Sequence, residues 1–248
     1  MEDERLVERV EQLHRAVCDL LFPPRCPVCD GILRAEERKS LACRECRGKL
    51  MYVREPRCMK CGASLRGEEE EYCRLCAKHR HQYDRGLALY EYSAVRTAIY
   101  RFKYSGRKEY AEFFGREMAL RFGSRLKEWG VQALVPIPLY AAKERKRGYN
   151  QAAELAEVCG HVLNMPVAKK LVRRVRSTRP MKLLSAKERQ INLKNAFLIT
   201  QDVVKLEAVA LVDDIYTTGS TMDAVAAVLK ASGVKRVYCI SLAVGSGI

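Results

Sequence analysis

The sequence predicts an α/β chain: a parallel sheet with helices on both faces, preceded by a small cysteine-rich module. Three observations carry this prediction. From about residue 84 onward, short apolar runs alternate with helical stretches, the pattern of a parallel α/β sheet. Eight of the eleven cysteines fall in four Cys-x-x-Cys pairs between Cys26 and Cys76. The segment Leu211–Thr221, LVDDIYTTGST, sets two carboxylates and a hydroxyl-rich turn between an apolar run and a helical stretch.

The elements follow in order. Leu6, Val10, Leu13, Val17 and Leu20 recur at spacings of three and four, which predicts an amphipathic helix. Phe22-Pro23-Pro24 ends it, giving an N-terminal helix over 1–24. Residues 25–80 form the cysteine-rich module, with Glu68–Glu71 as a solvated loop inside it. A domain over 84–248 follows. GLALYEY (86–92) alternates like a strand, 94–106 reads as a helix ending at Gly106, and 108–128 as a second helix. ALVPIP (133–138) is a short buried strand cut off by prolines, and 150–163 is helical. The stretch Lys169–Arg189 is basic and has little periodicity. After AFLIT (196–200) come the strand AVALV (208–212), the helix 222–233 and the strand RVYCISLAV (236–244).

Composition narrows the function. With 48% apolar residues among 248, a globular core is expected. No run of eighteen apolar residues occurs, so no transmembrane helix is expected. The charged N-terminus reads without a signal-peptide core, so a cytoplasmic location is expected. A net charge of +15, from 45 basic and 30 acidic residues, suits a polyanionic partner such as nucleic acid, a phosphorylated ligand or an anionic membrane. A merely Lys/Arg-rich surface would give the same number.

The cysteine pairs are Cys26/Cys29, Cys43/Cys46, Cys58/Cys61 and Cys73/Cys76. Each Cys-x-x-Cys turn offers two thiolates to one tetrahedral ion, and two pairs close a four-sulfur shell. Their intervals suit two sequential sites, although a cross-braced pairing fits the spacing too. About two structural zinc ions are expected, with iron–sulfur ligation as the alternative, and a cytosolic setting disfavours disulfides. His79 and His81 read as surface residues. Cys18, Cys159 and Cys239 stand alone in apolar surroundings and read as buried small hydrophobes.

In DDIYTTGST the glycine, Gly219, permits close backbone approach to an anion, and Thr217, Thr218, Ser220 and Thr221 add hydroxyls ahead of a helix N-terminus. No lysine is present, so this is not a Walker-type loop. Asp213 and Asp214 repel phosphate but accept hydrogen bonds from sugar hydroxyls. A 5-phosphoribosyl group, with a phosphate at one end and a diol at the other, matches both halves. Mg²⁺ at the diol and pyrophosphate would relieve the charge.

VALVDDIYTTGST resembles the phosphoribosyl pyrophosphate (PRPP) motif of type I phosphoribosyltransferases. With the cysteine pairs, IYRFKYSGRKEYAEFFG (99–115), VPIPLYAAKERKRGYNQAAELA (135–156) and SAKERQINLKNAF (185–197), the chain is similar to the ComF competence-protein family over about Cys26 to Val244. The resemblance implies a type I phosphoribosyltransferase-like parallel sheet behind a double-zinc-ribbon-like module. It implies ribose contacts from Asp213 and Asp214, phosphate contacts from Thr217, Thr218, Gly219, Ser220 and Thr221, and a pyrophosphate loop at Pro138, Leu139 and Tyr140. Lys103, Arg147, Asn150, Gln151, Arg189 and Asn192 look like its further polar positions. Where the family usually has a glutamine, Met181 stands here. The implied role is the handling of incoming single-stranded DNA in natural competence, beside a helicase-like partner, with Tyr104, Tyr140 and Tyr149 available for stacking. The alternative is an active transferase releasing pyrophosphate from PRPP, with an unidentified acceptor in nucleotide metabolism.

Overall fold

A computed structural model describes residues 21–176, 196–201 and 206–245. The expected N-terminal helix, Met181, Arg189 and Asn192 lie outside the described residues, as does most of the basic stretch after Arg176. The chain divides into two compact units, 1–49 and 50–248. In the first, the described residues comprise a 3-10 turn at Ala35–Ser40 and one short helix, α1 (Arg44–Lys49), neither with a buried residue.

The second unit is built on four strands in the order β1 (Gly86–Glu91), β6 (Arg236–Val244), β5 (Ala208–Tyr216) and β2 (Ala133–Pro136), all parallel. β5 is buried along Ala208–Val212 and β6 from Val237 onward, which explains their unbroken apolar runs. Alternate strand residues face opposite ways. Val135, Val209, Leu211, Val237 and Cys239 share one face and pack with Met222, Val225, Ala226 and Leu229 of helix α6 (Ser220–Ala231). Helices α2 (Tyr92–Tyr104), α3 (Tyr110–Glu128) and α5 (Gln151–Leu163) pack on the sheet as well, α5 against β2 and β5 and α3 against α5. Helix α3 presents Tyr110, Phe113, Phe114, Met118, Phe122 and Leu126 as one buried stripe. A two-stranded antiparallel ribbon, β3 (Val172–Arg174) with β4 (Phe197–Ile199), adds Val172 and Phe197 to the α6-side core. The parallel α/β class expected from the sequence is therefore the fold observed.

Boundaries moved in places. β5 runs through both aspartates to Tyr216, because its pairing with β6 continues as far as Tyr216 beside Val244. The segment AAKERKR forms a short helix, α4 (Ala141–Arg147), ended by Gly148 in the left-handed region. It has no buried residue, so it carries no apolar periodicity to announce it. Among the described residues no helix is long and apolar enough to cross a membrane.

Candidate functional site

The eight cysteines come together as two sequential clusters, Cys26/Cys29/Cys43/Cys46 and Cys58/Cys61/Cys73/Cys76. In each, all four sulfurs lie within 4.8 Å of one another. A tetrahedral shell with Zn–S bonds near 2.3 Å requires sulfurs about 3.8 Å apart. Cys29 and Cys43 sulfurs are 3.9 Å apart and those of Cys61 and Cys73 3.7 Å. Both donor sets fit structural zinc, with no open position for chemistry. The spacing settles the cross-braced alternative in favour of sequential pairing.

The second concentration of polar groups lies at the C-terminal edge of the sheet, where open α/β sheets bind ligands. β5 and β2 are neighbours, so the loops leaving them stand side by side. β5 delivers Asp213 and Asp214, whose side chains leave the strand on opposite sides. The Lys103 ammonium, from the end of α2, pairs with Asp214 at 2.8 Å. Asp213 accepts from the Asp214 N–H at 2.8 Å and feels Arg174 of β3. Burial, then the Asp214 charge, pushes the Asp213 carboxyl up to about 7, against the pull of Lys103 and Arg174. A carboxyl raised in this way can hold a proton and donate it to a hydroxyl, or accept one when ionised. Partial desolvation and then Arg147, Arg174 and Lys103 lower the Lys143 ammonium, while Asp214 raises it, so Lys143 stands in a cationic neighbourhood beside that acid.

Thr217–Thr221 line a small depression with Asp213, Ile215, Tyr216 and Met222. Helix α6 begins there, and its first-turn N–H groups have no helical partner. Thr218 Oγ1 and Ser220 Oγ are 2.9 Å apart. Gly219 has φ +74°, and a side chain there would strike the Tyr216 hydroxyl and the His81 ring. The glycine expected for anion approach is thus also required by what lies beneath the loop.

The other expected polar positions divide. Arg147 donates to Gln151 Oε1 at 2.8 Å, and buried Gln151 donates to the Phe102 carbonyl at 3.3 Å, so Gln151 positions Arg147 instead of facing the loop. Asn150 caps α5, accepting from the Ala152 N–H at 3.1 Å and donating to the Ile137 carbonyl at 3.0 Å. It fastens the segment after β2, where Pro138, Leu139 and Tyr140 stand half-buried. Tyr149 is buried with its hydroxyl on the Phe102 carbonyl, so it cannot serve as the stacking ring expected of it. The reason is local: its ring packs on Phe102 at 5.8 Å.

Sequence reasoning also missed His81. Expected at the surface, its side chain is 1% exposed and its Nδ1 lies 2.8 Å from Asp223 Oδ2 in the first turn of α6. The Gln82 N–H donates to the other oxygen of Asp223 at 2.7 Å. Next to it the Tyr83 and Tyr216 hydroxyls are 2.6 Å apart, and Tyr216 reaches the Cys76 sulfur at 3.9 Å. At the other end of the cluster Gly62 has φ +73°, and a Cβ there would lie 2.5 Å from the Ala88 nitrogen of β1. The second cysteine cluster is therefore set into the sheet and braces the hydroxyl-rich loop from below. A lone polar string, HRHQ, carries no signal for this, since its partner Asp223 is 142 residues away.

A double zinc ribbon domain family model matches residues 17–77. The chain is similar to competence protein F of Haemophilus influenzae, 32% identical over 90% of this chain and 97% of that protein. It is similar to the DNA utilization protein YhgH of Escherichia coli, 30% identical over 68% of this chain and 76% of that protein. Competence protein ComFC of Streptococcus pneumoniae is 26% identical over 86% and 91%. Among solved structures, a purine phosphoribosyltransferase of Pyrococcus horikoshii is 17% identical, covers 55% of this chain and 78% of that one, and has a TM-score of 0.35, a likeness too loose to argue from.

Proposed function

We propose that this chain, which belongs to the competence protein F family, binds PRPP at the edge of its parallel sheet and acts in natural competence on incoming single-stranded DNA. The observation that carries the ligand is the junction of β5 and α6. Two consecutive carboxylates, one of them paired with Lys103, adjoin a hydroxyl-bearing turn at a helix N-terminus. Carboxylates take the diol of a ribose, and the turn takes its 5′-phosphate. Lys103, Lys143, Arg147 and Arg174 would supply positive charge to the pyrophosphate, and Mg²⁺ would arrive with that group, sharing its charge. In this reading residues 84–248 form the phosphoribosyl-binding domain and residues 25–80 a structural zinc module. The names of the relatives, a competence protein and a DNA utilization protein, support the role in DNA uptake.

Calorimetric titration of PRPP with Mg²⁺ tests the ligand. The wild type is expected to bind, and Asp213→Ala/Asp214→Ala to lose at least a hundred-fold, roughly the loss of two charge-assisted contacts. No heat from the wild type would end the reading. Loss of transformation on gene deletion, with purine levels unchanged, would support the role in uptake.

A second reading rests on the cations near the acids: Lys103 on Asp214, with Lys143 and Arg174 close by. They would stabilise departing pyrophosphate, so the site could transfer the phosphoribosyl group to an acceptor. Acceptor-dependent pyrophosphate release would establish it.

A further inference from the structure

Helix α2 buries Val95, Ala98, Ile99 and Phe102 and turns its opposite face to solvent. On that face Tyr100 and Tyr104 stand four residues apart, so their rings are neighbours. The centroids are 5.1 Å apart at an interplanar angle of 48°. Each residue is 61% exposed. One exposed aromatic residue is ordinary, but a contiguous pair in water is not. The surroundings are cationic. The Arg147 guanidinium lies 4.9 Å from the Tyr104 centroid and donates to its hydroxyl at 3.3 Å. Arg96 is exposed one turn before Tyr100, and Lys143, Arg145 and Lys146 are exposed on α4. Lys103, next in sequence to Tyr104, holds Asp214.

We propose that Tyr100 and Tyr104 form a platform on which bases of a single-stranded nucleic acid stack, at the rim of the carboxylate site. Two phenol rings among guanidinium and ammonium groups suit a ligand that is aromatic and polyanionic at once. An apolar protein partner would instead meet a rim of exposed cations, Arg96, Lys143, Arg145 and Lys146. A duplex keeps its bases stacked inside, so only a single strand can lay them on these rings. The proposal rests on the reading that this protein handles single-stranded DNA, and it states which surface does so. Of the three tyrosines that the sequence offered for stacking, Tyr149 is buried and Tyr140 half-buried. Tyr104 qualifies, and Tyr100 joins it.

The test is fluorescence anisotropy of a labelled oligothymidylate with the full chain, at several salt concentrations. A base stacked on an aromatic ring makes Tyr100→Ala weaken binding roughly ten-fold. Tyr100→Phe should restore it, and the salt dependence should stay the same, since no phosphate contact is lost. Thermal melting checks that the exposed substitution leaves the fold intact. PRPP titration of Tyr100→Ala keeps the two readings apart, because Tyr100 lies outside the carboxylate site and should leave that affinity unchanged. Wild-type affinity in Tyr100→Ala would overturn the platform. Equal binding of a duplex of the same length would do so too, since charge alone would then suffice. If the wild type fails to bind the oligonucleotide, both the platform and the single-strand role fall, and the PRPP reading stands or falls on its own titration.

Discussion

The first cysteine cluster leaves Cys29 exposed and is flanked by a 3-10 turn and a short helix without a buried residue. The second buries all four thiols, in one apolar cluster with Val225, Leu229, Val237 and Cys239. Their donors are identical and their spacing nearly so. What differs is the company. The metal of the first site organises the loop that carries it. The metal of the second organises a piece of the sheet's core, with Tyr216 linking the Cys76 sulfur to the end of β5. A ligand set read from sequence therefore gives the ion but not its consequence.

The contrast can be broken most directly at the thiols. Cys61→Ser should lower zinc from two ions to one and destabilise the sheet by more than about 3 kcal/mol, since it removes a metal and opens the core. Cys29→Ser should also release one ion, yet shift the melting of the unit 50–248 by less than about 0.5 kcal/mol. Equal losses in calorimetric melts would erase the distinction. A smaller effect is expected at the link. Tyr216→Phe strands the buried Tyr83 hydroxyl, at a cost of about 1–3 kcal/mol. It should also speed zinc release to a chelator from the second cluster, with the first cluster unaffected. Unchanged release would show that Tyr216 only fills space. The smallest effect belongs to His81→Ala. Losing the contact with Asp223 should cost about 1 kcal/mol and weaken PRPP binding several-fold, because the first turn of α6 loses its brace. A melt and a titration indistinguishable from wild type would show that the brace is dispensable.

Much of this was legible in the sequence. β6 was read to its observed limits because RVYCISLAV is buried almost throughout, and the apolar start of β5 was equally plain. The cysteine spacing suited two sequential sites. The remainder was hidden for definite reasons. α4 has no apolar face to reveal it. Asn150 and Gln151 look like ligand-facing polar residues until their partners, the carbonyls of Ile137 and Phe102, are seen. His81 sits in a polar string, and only a partner in the last helix explains its burial. Periodicity reports the faces of elements. It says nothing of a polar side chain satisfied by a distant one.

That distance bears on how the chain is made. Cys76 and Tyr216 are separated by 140 residues, and His81 and Asp223 by 142. During synthesis the four thiols of the second cluster emerge long before the strand and helix that seat them, and domains take shape as they leave the ribosome. A zinc-loaded loop would wait, its inner side wet, until β5 and α6 arrive. A message cut short before residue 216 would yield a metal-binding stub without the strand and helix that seat it.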